Sequence, residues 1–377
     1  MKLATTLLVF CVTALLALGM VMLYSSSMAQ VGPRYLMTQL ACCAMGLVAC
    51  GVGACLDYRW LKKVAWPLLG LAIILLILVL IPGIGKKVHG ARRWIVFGGL
   101  RFQPSELAKL ALIIALAYYG ERFQKWMPTF RGGLLGPGAM IVVVLGLIFV
   151  EPDRGATILM AAVSTILLLV AGVRWRFVAP PFCLAVAGLV ISLWRDPMRF
   201  GRVFGWWHLE QNQNGVNYQA WQGMLALGAG GWNGLGLGQG RQKFDFLPEH
   251  DTDFIFAVIG EELGVIATVL IVVAFVTLVI CGVYIAWNSP DVFGLLLGSG
   301  ISFLIGMQAF INIGVVTSAL PNKGLPLPFI SYGGSNLLIM LACVGVLLSI
   351  ARHGRVGRVA LENEELAGPE ASPSLTA

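Results

Sequence analysis

Residues 64–81 read VAWPLLGLAIILLILVLI, and residues 133–150 read GLLGPGAMIVVVLGLIFV. Neither stretch carries a charge, and each is close to the roughly 20 apolar residues that a helix needs to cross a hydrocarbon core about 30 Å thick. Similar runs, separated by charged or Pro/Gly-rich breaks, fall near 5–27, 36–56, 105–121, 156–173, 178–194, 254–286, 293–317 and 329–350. With the two quoted runs they predict an all-α polytopic integral membrane protein of about ten transmembrane helices. Composition agrees: 58% of the 377 residues are hydrophobic and 12% are charged, with a mean hydropathy of +0.85. Soluble domains are roughly a quarter charged, so an ordinary globular enzyme and a disordered chain are both excluded.

The formal charge of +8 is read loop by loop against a membrane. Arg59, Lys62 and Lys63 fall in loop 57–63, and Arg122, Lys125 and Arg131 in loop 122–132. Arg174 and Arg176 follow, then Arg352, Arg355 and Arg358. All lie on the side of Lys2, which makes that side, and both termini, cytoplasmic by the positive-inside rule. No small-residue cleavage site precedes Tyr24, so the first run reads as a span rather than a leader. Residues 1–351 form one transmembrane domain in this reading, and 352–377 a flexible cytoplasmic tail.

Segment 82–104, PGIGKKVHGARRWIVFGGLRFQP, breaks the charge rule by placing Lys86, Lys87, Arg92, Arg93 and Arg101 outside. Two readings are open: a loop resting on anionic headgroups, or a site for an anionic ligand, since arginine grips phosphate with two parallel hydrogen bonds. The long outer connection 196–253 is rich in tryptophan, which favours the headgroup zone and predicts interfacial helices. It ends in PEHDTDF, where Glu249, Asp251 and Asp253 precede the eighth span.

Within the apolar runs, Glu106 and Lys109 share one helical face. They form either a buried ion pair or the lining of a wet cavity. Glu261 lies eight residues after Asp253, so a ladder of carboxylates and a set of capping or pairing groups are both open. GLGLGQG at 234–240 lacks a βαβ setting and reads as tight turns rather than a dinucleotide site. SYGGS at 331–335 is not a nucleophile elbow, HExxH is absent, and the eight cysteines form no CxxC pair. The residues leave two function classes, a lipid-headgroup transferase and a lipid or solute transporter.

The strings GARRWIVFGGLRFQPSELAKL (90–110), EPDRGA (151–156), NYQAWQGMLALGAGGWNGLGLGQGRQKFDFLPEHDTDFIFAVIGEELG (217–264) and GLPLPFISYGGSNLL (324–338) resemble the SEDS family of FtsW, RodA and SpoVE. GLGLGQGRQKFDFLPE and the early VMLYSSS resemble its FtsW branch more than RodA. The resemblance implies a peptidoglycan glycosyltransferase that polymerises lipid II on the outer face of the bacterial cytoplasmic membrane, at the division septum. A lipid II flippase is the alternative. The resemblance also implies Asp253 as the general base, and a cognate class B penicillin-binding protein as partner among other division proteins, with no nucleic acid. The substrate contacts it implies are Lys86, Lys87, Arg92, Arg93, Trp94, Gln103, Glu106, Lys109, Asp153, Tyr218, Gln219, Glu249, Thr252, Ser331, Tyr332 and Ser335. No motif establishes a metal, though a divalent cation, Mg or Mn, would suit diphosphate chemistry. Two positions depart from the family pattern: EPD stands where QPD is usual, and the histidine of PEAHTDFIF is displaced to His250, with Asp251 after it.

Overall fold

The computed structural model describes residues 1–377 except 28–31, 89–90, 98–99, 196–200, 202–205, 208–216, 245–246, 323 and 368–377. Its helices are α1 (Lys2–Ser27), α2 (Arg34–Cys55), α3 (Leu61–Leu80), α4 (Pro104–Arg122), α5 (Gly136–Val150), α6 (Arg154–Val170), α7 (Trp175–Trp194), α8 (Tyr218–Gly230), α9 (Ile255–Trp287), α10 (Val292–Val316) and α11 (Gly334–Ala367). All but the short α8 answer the ten expected runs. By length and composition, seven segments among the described residues are able to cross a membrane: Lys2–Ser27, Arg34–Cys55, Tyr58–Leu80, Arg131–Val150, Ile255–Trp287, Val292–Val316 and Gly334–Gly354. The chain is a multi-pass membrane protein.

Helix α4 misses that standard for a physical reason. It runs through the middle of the bundle, packed on α3, α5, α6, α10 and α11, so its Glu106 and Lys109 meet protein rather than lipid. Helix α6 is shorter, at 17 residues. Lipid-facing helices look different: α2 buries only Gln39, Cys42 and Gly46. Its partner α11 comes so close that a methyl group at Gly345 would strike the backbone of Cys50. Small residues allow such approaches where no hydrophobic drive separates helix from lipid.

One end of the bundle collects the loops assigned to the cytoplasm. Asp291 at the start of α10 accepts from Tyr58 at 2.8 Å and pairs with Lys62 at 3.3 Å, and Lys62 also pairs with Glu121 at 2.8 Å. Met1 lies beside Gly354, so the N-terminus and the end of the described side chains share this end. Helix α11 continues to Ala367, past residue 352 where the tail was expected to begin.

The opposite end holds the departures from the sequence reading. Segment 82–104 is not a plain loop. Strands β1 (Gly85–Val88), β2 (Ala91–Phe97) and β3 (Leu100–Phe102) form an antiparallel sheet in the order β1-β2-β3. The strands are rich in β-branched and aromatic residues, but their charges and glycines masked the alternation. The long connection gives one helix, α8, while much of 196–216 lies outside the described residues. Helix α9 is broken at Gly264, whose φ of 76° is left-handed. There the 231–240 turns fold back, with Leu235 and Gly236 donating to the carbonyls of Glu261 and Glu262 at 2.9 Å each. Of the two readings open for these carboxylates, the structure shows capping and pairing. Glu261 caps the amides of Arg241 and Gln242, and Glu262 pairs with Lys243 at 2.7 Å and accepts from Ser25 at 2.6 Å.

Candidate active site at the outer face

Asp253 stands two residues before Ile255, the first residue of α9, within the 249–254 turn. That turn is fixed from several sides. The amides of Thr252 and Phe254 donate to the Glu249 carbonyl at 3.2 Å each, and the Thr252 hydroxyl donates to the Glu249 carboxylate at 2.8 Å. Glu249 itself takes a left-handed φ of 56° to make the bend. From α10, Asn312 donates to the Asp253 carbonyl at 2.8 Å and to the Leu325 carbonyl at 2.7 Å. Ser331 donates to the Thr252 carbonyl at 2.5 Å, and the Tyr332 amide donates to the Asp251 carbonyl at 2.9 Å. Asp251 is held in turn by Ser26 of α1. Gly324 lies against the Asp253 carboxylate, where any side chain would collide with it.

The charges around Asp253 come from three elements. Asp153 caps α6 by accepting from the Ala156 amide at 3.1 Å, and its other oxygen accepts from Gln103 at 3.2 Å. Arg93 of β2 donates to the carbonyls of Glu151 and Pro152 at 3.0 and 2.5 Å. Burial pushes the Asp253 carboxyl up to about 7, with Glu249 and Asp153 adding repulsion and Arg93 opposing it. Glu151, fully buried in the same turn as Asp153, is pushed up to about 8 by burial first and Asp153 second.

The anticipated site residues divide. Arg93, Gln103, Asp153, Glu249 and Thr252 gather with Asp253. Gln219 joins them, donating to the Pro248 carbonyl at 3.5 Å and accepting from Asn322 at 3.1 Å; Tyr218 stands beside it at the start of α8. Lys87 and Arg92 are cross-strand partners on the hairpin, as are Lys86 and Trp94, with a bulge between Lys86 and Lys87.

Glu106 and Lys109 do not join the cluster around Asp253. They form a 2.8 Å ion pair whose side chains are 5% and 0% exposed, which realises the ion-pair reading. Lys109 donates to Gln308 at 3.0 Å and Asn336 donates to Glu106 at 2.8 Å, so the paired charges are also hydrogen-bonded. Ser335 accepts from the Gln103 amide at 3.1 Å and donates to the Arg101 carbonyl at 3.0 Å, tying the hairpin exit to α11. Tyr332 stacks on Tyr35 with ring centroids 4.6 Å apart, turned toward α2. Gly334 abuts Cys42 of α2, as close helix packing requires.

The sequence reading missed Gln308, Asn312 and Asn336. Each is a polar residue inside an apolar run, and that was the available signal. Among the described residues, no group of three or more His, Cys, Asp or Glu is arranged to hold a metal ion.

The model of the FtsW/RodA/SpoVE family, described as cell cycle protein, matches residues 5–356. A Trichlorobacter lovleyi protein named "Probable peptidoglycan glycosyltransferase FtsW" is 42% identical over 346 residues, covering 90% of this chain and 91% of that protein. The stage V sporulation protein E of Bacillus subtilis is 37% identical over 355 residues, covering 93% and 97%. Among solved structures, a chain of a peptidoglycan synthase complex, studied for its coordination of polymerization and crosslinking, superposes with a TM-score of 0.78 at 31% identity. That match covers 92% of this chain and 97% of the other. The Thermus thermophilus rod shape determining protein RodA superposes with a TM-score of 0.69 at 31% identity, covering 92% and 95%. Matched over nearly its whole length in sequence and in fold, the chain belongs to the FtsW/RodA/SpoVE family of cell cycle proteins.

Proposed function

We infer that this chain is a peptidoglycan glycosyltransferase of the FtsW type, polymerising lipid II on the outer face of the bacterial cytoplasmic membrane during septal wall synthesis. The observation that carries the mechanism is Asp253, a carboxylate at the outer end of the bundle whose pKa is raised to about 7 among Glu249, Asp153 and Arg93. A general base works best when its pKa lies near the working pH. Asp253 takes the proton of the acceptor sugar's 4-hydroxyl. That oxygen forms a bond to the anomeric carbon of the donor sugar, with inversion, as the bond to the diphosphate breaks. The electrons leave with undecaprenyl diphosphate, and Arg93 is the hairpin cation positioned to offset the developing charge. Asn312 and Gly324 hold the base and leave its carboxylate unobstructed.

A divalent cation would be held, as Mg is elsewhere, by one or two carboxylates such as Asp153 and Glu249 together with the substrate's diphosphate, and would supply charge neutralisation there; no step here runs through it. The partner we propose is a cognate class B penicillin-binding protein, in keeping with the synthase complex that this fold resembles.

The deciding experiment is polymerisation of purified lipid II with and without that partner, comparing wild type with Asp253→Asn. The variant should lose about 10²–10⁴-fold in rate while staying folded. A normal rate would remove Asp253 from the role. One feature favours the rival lipid transporter: the break at Gly264, since interrupted helices are characteristic of transport sites. Dithionite quenching of a fluorescent lipid II analogue in proteoliposomes separates the two readings. Transbilayer movement without polymer would favour the transporter.

A further inference from the structure

Arg92 and Arg93 are neighbours on β2, and successive side chains on a strand project to opposite faces. Arg93 reaches the 151–152 turn beside Asp253. Arg92 meets the same turn away from Asp253: it lines a cavity of about 300 Å³ together with Lys87, Ala91, Leu80, Val150, Glu151 and Pro152, and Asp253 is not among the lining residues.

Three properties of this cavity point to one ligand chemistry. Lys87 and Arg92 are direct cross-strand partners, so two cations face each other across an antiparallel pair. Like charges placed this way destabilise a sheet unless something neutralises them. The acid in the wall, Glu151, leaves both carboxyl oxygens without a hydrogen-bond partner among the described residues although it is 0% exposed. A buried polar group in that state is costly, and a protonated carboxyl has a donor to offer. The remaining wall is apolar. Leu80 ends α3 and Val150 ends α5, adjacent helices whose nearby Ile77, Ile81 and Val150 are exposed where lipid would lie. The position thus combines cations, a hydrogen-bond donor and a lipid-facing rim.

We propose that this cavity is a second anion site, distinct from the Asp253 groove, which takes the phosphate of a membrane lipid headgroup between Lys87, Arg92 and Glu151 while the lipid's chain lies along the outer ends of α3 and α5. The site does not depend on the polymerase reading, because it is defined by binding and not by turnover. The lipid with that chemistry is an anionic diacyl phospholipid; tighter binding of a prenyl diphosphate would return the cavity to the polymerase's own substrate and overturn the proposal.

Burial holds Glu151 uncharged up to about pH 8. The charged groups that face it are Asp153 on its own turn and Arg93 from β2, with Lys87 of β1 and Arg92 of β2 sharing its cavity. The helices α3 and α5 contribute Leu80 and Val150 there. Below that pH the two cations keep their full pull on an anion. Above it the Glu151 carboxylate competes for them.

The test is native mass spectrometry of the full chain in non-ionic detergent, titrated separately with short-chain phosphatidylglycerol, phosphatidylcholine of the same chain length, and farnesyl diphosphate. Phosphatidylglycerol should bind at least about tenfold more tightly than phosphatidylcholine, and more tightly than farnesyl diphosphate. Arg92→Gln should weaken binding about tenfold, the worth of one charge-assisted hydrogen bond, while Arg92→Lys keeps most of it. Wild-type binding should fall as pH rises from about 7 to about 9, whereas Glu151→Gln, which cannot ionise, should hold level. Asp253→Asn should bind as wild type does even though it no longer polymerises. The proposal is overturned by equal affinity for phosphatidylcholine, by unchanged binding in both Arg92→Gln and Lys87→Gln, by the same pH loss in Glu151→Gln, or by loss of binding in Asp253→Asn.

Discussion

Asp253 illustrates how a residue acquires chemistry from its surroundings. An ordinary aspartate is a weak base at neutral pH, and burial beside Glu249 and Asp153 lifts this one to about 7. Because the active form is the carboxylate, polymerisation should climb as pH rises through about 7. Glu249→Gln removes a repelling charge and should move that ascending limb to lower pH; a pH–rate profile of the two proteins checks it. Asn312 has a different task, holding the Asp253 and Leu325 carbonyls. Asn312→Leu should therefore lower kcat by about 10–100-fold through misplacement and leave the midpoint of the profile where it was. A shifted midpoint would give Asn312 an electrostatic role instead. The sequence made Asp253 visible through its family string, whereas Asn312 was hidden, since one amide in an apolar run says nothing about which carbonyl it will meet.

At the level of elements, α4 and α9 do the positioning. Glu106 and Lys109 anchor α4 to α10 and α11 through Gln308 and Asn336. Removing one partner of a buried pair strands the other charge and costs about 3–5 kcal/mol. Lys109→Met alone should thus lower the thermal unfolding temperature more than the double change with Glu106→Gln, measured on the detergent-solubilised protein. Helix α9 carries the break at Gly264, into which the turns of 231–240 dock. Any Cβ at Gly264 would strike the backbone at Trp232 and Gly234 and would have to sustain a φ of 76°. Gly264→Val should accordingly unfold this junction, read as faster proteolysis within 231–243.

Across the whole molecule, polar groups are sorted to the two ends of an apolar bundle, and burial raises the pKa of two acids, Glu151 and Asp253, at the end opposite Asp291. Glu151 and Asp253 both have folded pKa values, about 8 and about 7, above their ordinary values of 4.5 and 3.8. A raised folded pKa means that the stability is fully present below the ordinary value and is lost as pH rises through the folded one. Thermal stability should consequently decline between about pH 4 and about pH 8, and Glu151→Gln should flatten the upper part of that decline. A stability that rose over this range would contradict the burial of these carboxyls.

The ten apolar runs and the gathering of the basic loops at one end of the bundle were legible in the chain, because the bilayer imposes a length on helices and a sign on loops that every sequence must obey locally. The hairpin of 85–102 was not, since its strands are short and their charges hide the alternation. Nor was the fate of Glu106, Glu261 and Glu262, whose spacing served equally for a wet pathway and for pairing. Only the folded molecule decided between those, because a buried charge is defined by partners that lie hundreds of residues away: Asn336 for Glu106, and Ser25 for Glu262.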